Sequence, residues 1–459
     1  MKKKIIALLL SSLLVVSVFA GCRTDNNDTA NGGSDAAAEE TPEPADTSNG
    51  DAPAEDDGAE AASGEGIHLT WWKLSGHIDS DGMDEIIASF QEMHPGFSMD
   101  VSGHSNETLH QNLQISAMND TLPSMWFQWG GALGGRYVLY GVSRDLTDFA
   151  RENNWAQKFT AASLDLMTLH GELAFYPRSM NALVVYYRRD IFEELGLSVP
   201  TTMDEFHEVV ETIHAAGITP INTASIPGWH IMRIWEQFLE HYAGAELHDQ
   251  LQVFEAEWEG NQAVIDSFAT LQRYAESGFF PDGFISMEAA DLVMLLYPGF
   301  AAMQIEGPWM DRNIVHDDQD IELYGYFALP NGGTNRVSAF GEGFMFNENL
   351  TDAELEIAVA FLDHFFEQRF VDAFPTMYPA PIPQIGREDG IPAEFLNVPS
   401  ILQTASANGT FTINDQALPP IVVDALFNAM DYVTLGQMSP EDAAAYMQRA
   451  IERHQAGEE

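Results

Sequence analysis

The sequence predicts an α/β protein of two lobes, each a mainly parallel sheet flanked by helices, with hinge strands joining them. Three observations carry that expectation. From Ile67 onward roughly 390 residues remain, more than a single hydrophobic core usually organises. Residues 67–129 alternate short apolar strands with amphipathic stretches in β-α-β-α-β order, the spacing of a parallel sheet. Residues 170–213 then leave one run of extended chain and start a new strand–helix–helix unit, as a crossing between two lobes requires.

Taken in order, residues 67–72 (Ile-His-Leu-Thr-Trp-Trp) alternate as a first strand, and residues 74–77 form its loop. Met83, Ile86, Ile87 and Phe90 fall on one face of a helix over 83–93, ended by Pro95-Gly96. A strand over 97–101, a helix over 109–118 and a strand over 125–129 complete the first unit. His170-Gly171-Glu172 reads as a turn, 173–176 as a strand interrupted by Pro177, and 183–187 as a buried β-branched and aromatic strand. Ile191, Phe192 and Leu195 give the next helix its apolar face and Gly196 its stop, and Thr202 is placed to cap the helix after it. Trp229-His230 sits in a loop before a helix over 231–242. Helices over 264–277 and 289–296 precede a strand over 299–305, and 340–347 with a helix over 353–366 would return to the first lobe.

Composition removes several functions. The chain carries 70 acidic against 20 basic residues, a formal charge of −50. Nucleic-acid binding and electrostatic docking on anionic lipid both require clustered cations, so both are disfavoured. Residues 1–21 have the form of an export signal: Lys2, Lys3 and Lys4, an apolar core, then small residues. The apolar run is short for a ~20-residue membrane span. Ala20-Gly21-Cys22 resembles a bacterial lipobox, with Phe19 where that pattern usually has Leu, and implies that Cys22 carries a lipid. Cys22 is the only cysteine, so the mature fold has no internal disulfide and no catalytic thiol. The rest of the segment 22–66 is an acidic, Gly- and Ala-rich tether with too little apolar surface to fold.

Several motifs together resemble the extracellular solute-binding proteins of bacterial sugar ABC transporters. They are Gly-Glu-Leu at 171–173, Tyr176-Pro177, Asn-Ala-Leu-Val-Val-Tyr-Tyr at 181–187, Phe-Glu-Glu-Leu-Gly-Leu at 192–197 and Pro-Thr-Thr at 200–202. Leu-Pro-Ser-Met-Trp-Phe-Gln-Trp at 122–129, Gly-Phe-Ala-Ala-Met at 299–303 and Gly307-Pro308-Trp309 belong to the same pattern, as does the C-terminal helix. Tyr324–Pro330 resembles that family's second crossing strand. The resemblance covers nearly everything after residue 66. It implies a type II periplasmic-binding-protein-like fold, with 67–182 and 331–371 as lobe 1 and 183–330 and 372–459 as lobe 2. It further implies a monomeric, cofactor-free receptor, lipid-anchored on the outer face of the cytoplasmic membrane. Such a receptor takes a carbohydrate and delivers it to the permease subunits of an ABC importer.

There is no G-x-S-x-G elbow, Walker loop or G-x-G-x-x-G. Asp79-Ser80-Asp81-Gly82 lacks the later spacing of a calcium loop. His207, Glu211 and His214 share a helical face, which reads as a solvated surface rather than half a zinc site. The alternatives kept are a surface-anchored polysaccharide hydrolase, which needs two spaced carboxylates, and a receptor for a non-sugar solute.

A sugar site needs flat apolar faces for ring C–H surfaces and forked polar groups for hydroxyls. The candidates at strand ends and crossings are Trp72, Ser75, Gln128, Trp129, Asn181, Trp229, His230, Trp309 and Glu342. The resemblance assigns Trp309 as a stacking aromatic and Trp229-His230 as a contact region of the second lobe. Arg178, beside the crossing, either meets an acidic sugar or pairs with a neighbouring acid.

Overall fold

The computed structural model describes residues 66–459, apart from 78–79, 380, 388–389 and 458–459. The export signal, Cys22 and the tether lie outside the described residues, as does part of the Asp79–Gly82 loop.

Alternation sets the first strand. His68–Leu74 turns Leu69, Trp71 and Lys73 inward, so Trp71 rather than Trp72 is the core tryptophan. The strand pairs in parallel with Ser98–His104 on one side and Met125–Trp129 on the other. Helices Ser80–Met93 and Asn106–Met118 make the crossovers, the second capped by the Ser105 side chain. The long strand Val337–Phe346 joins Met125–Trp129 antiparallel and carries Tyr176–Ala182 and Thr410–Thr412 as its other partners.

The second sheet runs Tyr324–Phe327, Val184–Arg188, Ala301–Glu306, Thr219–Ile221. Only its last pair is parallel. The expectation of a mainly parallel sheet fails here for a topological reason. Val184–Arg188 and Tyr324–Phe327 are the outgoing and returning strands, and two such neighbours must run in opposite directions. Leu183 alone separates Tyr176–Ala182, in the first sheet, from Val184–Arg188 in the second.

Pro177 does not interrupt a strand as the sequence suggested. It lies inside Tyr176–Ala182, whose one partner strand is Val337–Phe346, so the missing N–H can face away from the ladder. The register slips between Glu342 and Gly343, opposite Ser179 and Pro177, leaving Arg178 as the bulged residue.

Two large apolar cores follow the two sheets. One gathers Leu69 to Tyr176 with Phe344 to Ile382; the other gathers Leu183 to Phe340 with Ile413 to Ile451. In the first, Trp71 meets Phe344, Phe361 and Phe365 edge-on at 5.1, 6.0 and 5.4 Å. In the second, Trp235 stacks on Trp258 and lies tilted against Phe268 around the helix Trp229–Gln252. That helix begins at Trp229, so Trp229-His230 is its first turn and not a loop, and it kinks at Gly244 (φ 68°). Residues 289–296 form a 3-10 turn, Ala289–Leu292, followed by one helical turn, Val293–Leu296. The Thr202 hydroxyl caps its helix by accepting from Glu205 N–H at 3.2 Å.

Candidate functional site

A cleft of about 390 Å³ opens between the two sheets. Ser75, Trp129, Asn181 and Glu342 reach it from the first sheet and its loops, and Trp229, Glu306, Trp309 and Arg312 from the second. It continues into a second chamber of about 310 Å³, past Trp129, Trp229, Arg233 and Phe340, which line both. Together they match the usual size of a small-molecule site.

The aromatic faces are held, not loose. Trp309 opens the helix Trp309–His316, and its indole N–H donates to Glu306 Oε2 at 2.9 Å. Gly307 makes room for that ring, since a Cβ there would fall 2.1 Å from Trp309 Cζ3. The Arg233 guanidinium lies 4.5 Å from the Trp229 ring and 5.4 Å from the Trp309 ring, so one cation tilts both indoles. Trp129, at the end of its strand, stacks on His110 with ring centroids 4.5 Å apart. Burial, helped by Arg136, lowers the His110 pKa to about 4, so a neutral imidazole backs the indole at pH 7.

Two buried carboxylates anchor the polar frame. Glu306 accepts from Arg233 (2.7 Å), Gln304 (2.8 Å) and the Trp309 indole, and lies 3.2 Å from His230 Nε2. Burial acts to raise its pKa, but Arg233 and the bonds from His230 and Gln304 bring it to about 2. Burial lowers the His230 pKa. On the other wall Glu342 Oε2 accepts from Arg178 at 2.9 Å and from Ser179 Oγ at 2.6 Å. Asn181 Nδ2 reaches Ser179 Oγ at 3.4 Å, and its remaining amide capacity faces the cleft.

Six of the nine sequence candidates therefore come together: Ser75, Trp129, Asn181, Trp229, Trp309 and Glu342. Three do not line either chamber. Trp72 is half-buried with its ring 5.1 Å from that of His104, and His104 is the residue that lines the cleft. Gln128 is buried; its amide donates to Leu133 O at 2.9 Å and accepts from Trp129 N–H. His230 is buried between Thr223 and Glu306 and positions the carboxylate rather than meeting the cleft. Sequence reasoning missed Arg233, Glu306 and Arg312. The arginines were findable: they follow Trp229 by four residues and Trp309 by three, which puts each on its tryptophan's helical face. Glu306 carried no such mark.

His207 meets Tyr274 and Arg273, and none of His207, Glu211 and His214 lines the cleft. Among the described residues no group of three or more His, Cys, Asp or Glu is placed to hold a metal ion. Among them, too, no helix is long and apolar enough to cross a membrane.

A two-lobed α/β fold with a polar–aromatic cleft between its sheets defines a solute-receptor architecture. The family model for bacterial extracellular solute-binding proteins matches residues 76–369, and the chain belongs to that family. A xylose/arabinose-binding protein of Haloferax volcanii is 23% identical over 60% of this chain and 61% of its own length. An uncharacterised ABC transporter extracellular-binding protein of Pyrococcus horikoshii is 26% identical over 53% and 57%. The chain thus spans little more than half the length of these relatives. Among solved structures, a chitin oligosaccharide binding protein superposes with a TM-score of 0.77 at 23% identity, covering 86% of this chain and 100% of the other. The maltose/maltodextrin-binding domain from Bdellovibrio bacteriovorus superposes at 0.64 and 17% identity, over 85% and 100%. These likenesses establish the fold.

Proposed function

We propose that this protein captures a sugar or oligosaccharide between its two lobes and delivers it to the permease subunits of an ABC importer. One observation carries the reading: Trp129, Trp229 and Trp309 bring flat apolar faces to a cleft whose floor is an ion-paired polar frame drawn from both sheets. Indole faces cover sugar C–H surfaces, and fixed carboxylate, amide and guanidinium groups pair hydroxyls. Contacts from both lobes favour the closed form, so ligand shifts the population toward it. Lobe 1 is taken as 67–182 with 331–371 and lobe 2 as the remainder; core packing around Ile382 supports carrying lobe 1 somewhat further. A lipid on Cys22 would hold the protein, as a monomer, on the outer face of the cytoplasmic membrane.

The hydrolase reading is weaker for a chemical reason. A glycosidase needs one carboxyl group that stays protonated as general acid. Glu306 is held at about 2 by its partners, and Glu342 is ion-paired to Arg178. Glu306 is therefore not poised to give up a proton near neutral pH. Incubation with oligosaccharides and detection of cleavage products separates the two readings: binding without cleavage is expected, and turnover would sink the receptor. Calorimetric titration with sugars, polyols and peptides separates a sugar receptor from one for another solute.

A further inference from the structure

Resting on the sugar-receptor reading, we infer that the ligand is an acidic saccharide whose carboxylate is taken by Arg312, which lines the cleft within reach of the charge of Arg178. With 70 acids to 20 bases in the chain, a counter-ion is easily found for an arginine. Two of the three arginines facing the main cleft have one: Arg178 pairs with Glu342 at 2.9 Å and Arg233 with Glu306 at 2.7 Å. Arg312 does not. Among the described residues it makes no ion pair, and its hydrogen bond is a long one, 3.4 Å, to the neutral amide of Asn313.

Its surroundings make that state costly. Burial and the nearby charge of Arg178 both act against the Arg312 cation, with Glu342 the one carboxylate offsetting them; its pKa falls to about 10. Glu342 is already bonded to Arg178 and Ser179. Arg178 Nη2 is buried with no hydrogen-bond partner among the described residues, so a second donor at the cleft is also unmet. The bulge at Arg178 brings that guanidinium to the cleft, and helical spacing places Arg312 beside Trp309. A hydroxyl would meet the donors but leave the charge. A carboxylate meets both, and a guanidinium fork fits it in two parallel bonds. A sugar ring over Trp309 bearing a carboxylate at its edge is the chemistry that fits: a uronic acid, alone or in an oligomer.

The test uses the intact protein and pairs of ligands differing only in charge: oligogalacturonates, glucuronoxylo-oligosaccharides and alginate oligomers, each beside its carboxyl-reduced neutral counterpart. Calorimetry should show at least one acidic member binding tenfold or more tighter than its reduced form, with the difference shrinking as salt rises. Arg312→Gln should remove that difference by weakening the acid tenfold or more beyond any loss for its reduced form, while Arg312→Lys retains part of it. Reduced ligands that bind as well as or better than the acids overturn the inference and leave the sugar reading intact. A variant that weakens both members equally also overturns it. No binding by any saccharide, acidic or neutral, defeats both readings together. The wild-type comparison stands even if a variant fails to fold.

Discussion

On the proposed sugar reading, Trp309 is the single side chain expected to matter most. Its indole is fixed by Glu306 at one end and faces Arg233 and Phe340, so it enters binding already oriented and little rotamer entropy remains to be lost. Replacing it by Ala removes a stacking surface at the edge of the second core. Calorimetry should show sugar affinity falling tenfold or more while the protein still unfolds in one cooperative transition; near-wild-type affinity would remove Trp309 from the site. Gly307→Ala should do comparable damage by a different route. The new methyl occupies the space of the indole ring, so the tryptophan must swing away while every polar partner remains. Loss of affinity comparable to Trp309→Ala, read in the same titration, is the expected result. Trp129 could be picked out because it ends a strand, and Trp229 and Trp309 because their motifs resemble contact regions of the family; all three line the cleft. Glu306 could not be picked out, because one carboxylate among so many carries no signal until Arg233 and His230 are seen around it.

The helix Trp229–Gln252 shows what elements contribute beyond side chains. It carries Trp229 and Arg233 to the cleft and then buries Trp235, Phe238 and Leu239 in the second core. Between them sits Glu236, fully buried, accepting from Asn414 N–H at 3.1 Å and from its amide at 3.2 Å, with its other oxygen lacking a partner among the described residues. Burial, only partly opposed by those bonds, raises its pKa from 4.5 to about 8. The folded state therefore holds a proton that the unfolded state releases, and stability falls as pH rises from about 4.5 to about 8. Glu236→Gln keeps the neutral shape, so its stability relative to wild type should improve across that range in urea unfolding. A gap that stays constant or widens the other way would contradict the assignment. A crossing within residues 170–213 was readable because one extended run leads into a new strand–helix–helix unit, and so was the first β-α-β-α-β unit. The mixed direction of the second sheet was not, because strand polarity depends on where a chain enters and no residue pattern records that. The bulge at Arg178 was hidden too, since Pro177 reads locally as a break and only the pairing with Val337–Phe346 shows the strand running through it.

At the scale of the whole molecule, charge and closure are the governing terms. A formal charge of −50 over the chain means many like charges repel one another, and salt screens them within about 10 Å at 0.1 M. The melting temperature should therefore climb from low salt to molar salt; an unchanged value would mean that the acids are already neutralised locally. Closure is the central claim, because the cleft draws its walls from two sheets joined at Leu183 and at the return between Tyr324–Phe327 and Val337–Phe346. A ligand touching both walls should draw them together. The most direct test is isothermal titration of the protein with a panel of neutral and acidic oligosaccharides, followed by small-angle scattering on any pair that binds. The account predicts one-to-one binding of a saccharide, with a smaller radius of gyration in the complex and no cleavage. Failure of every saccharide to bind, or binding with no compaction, would contradict it.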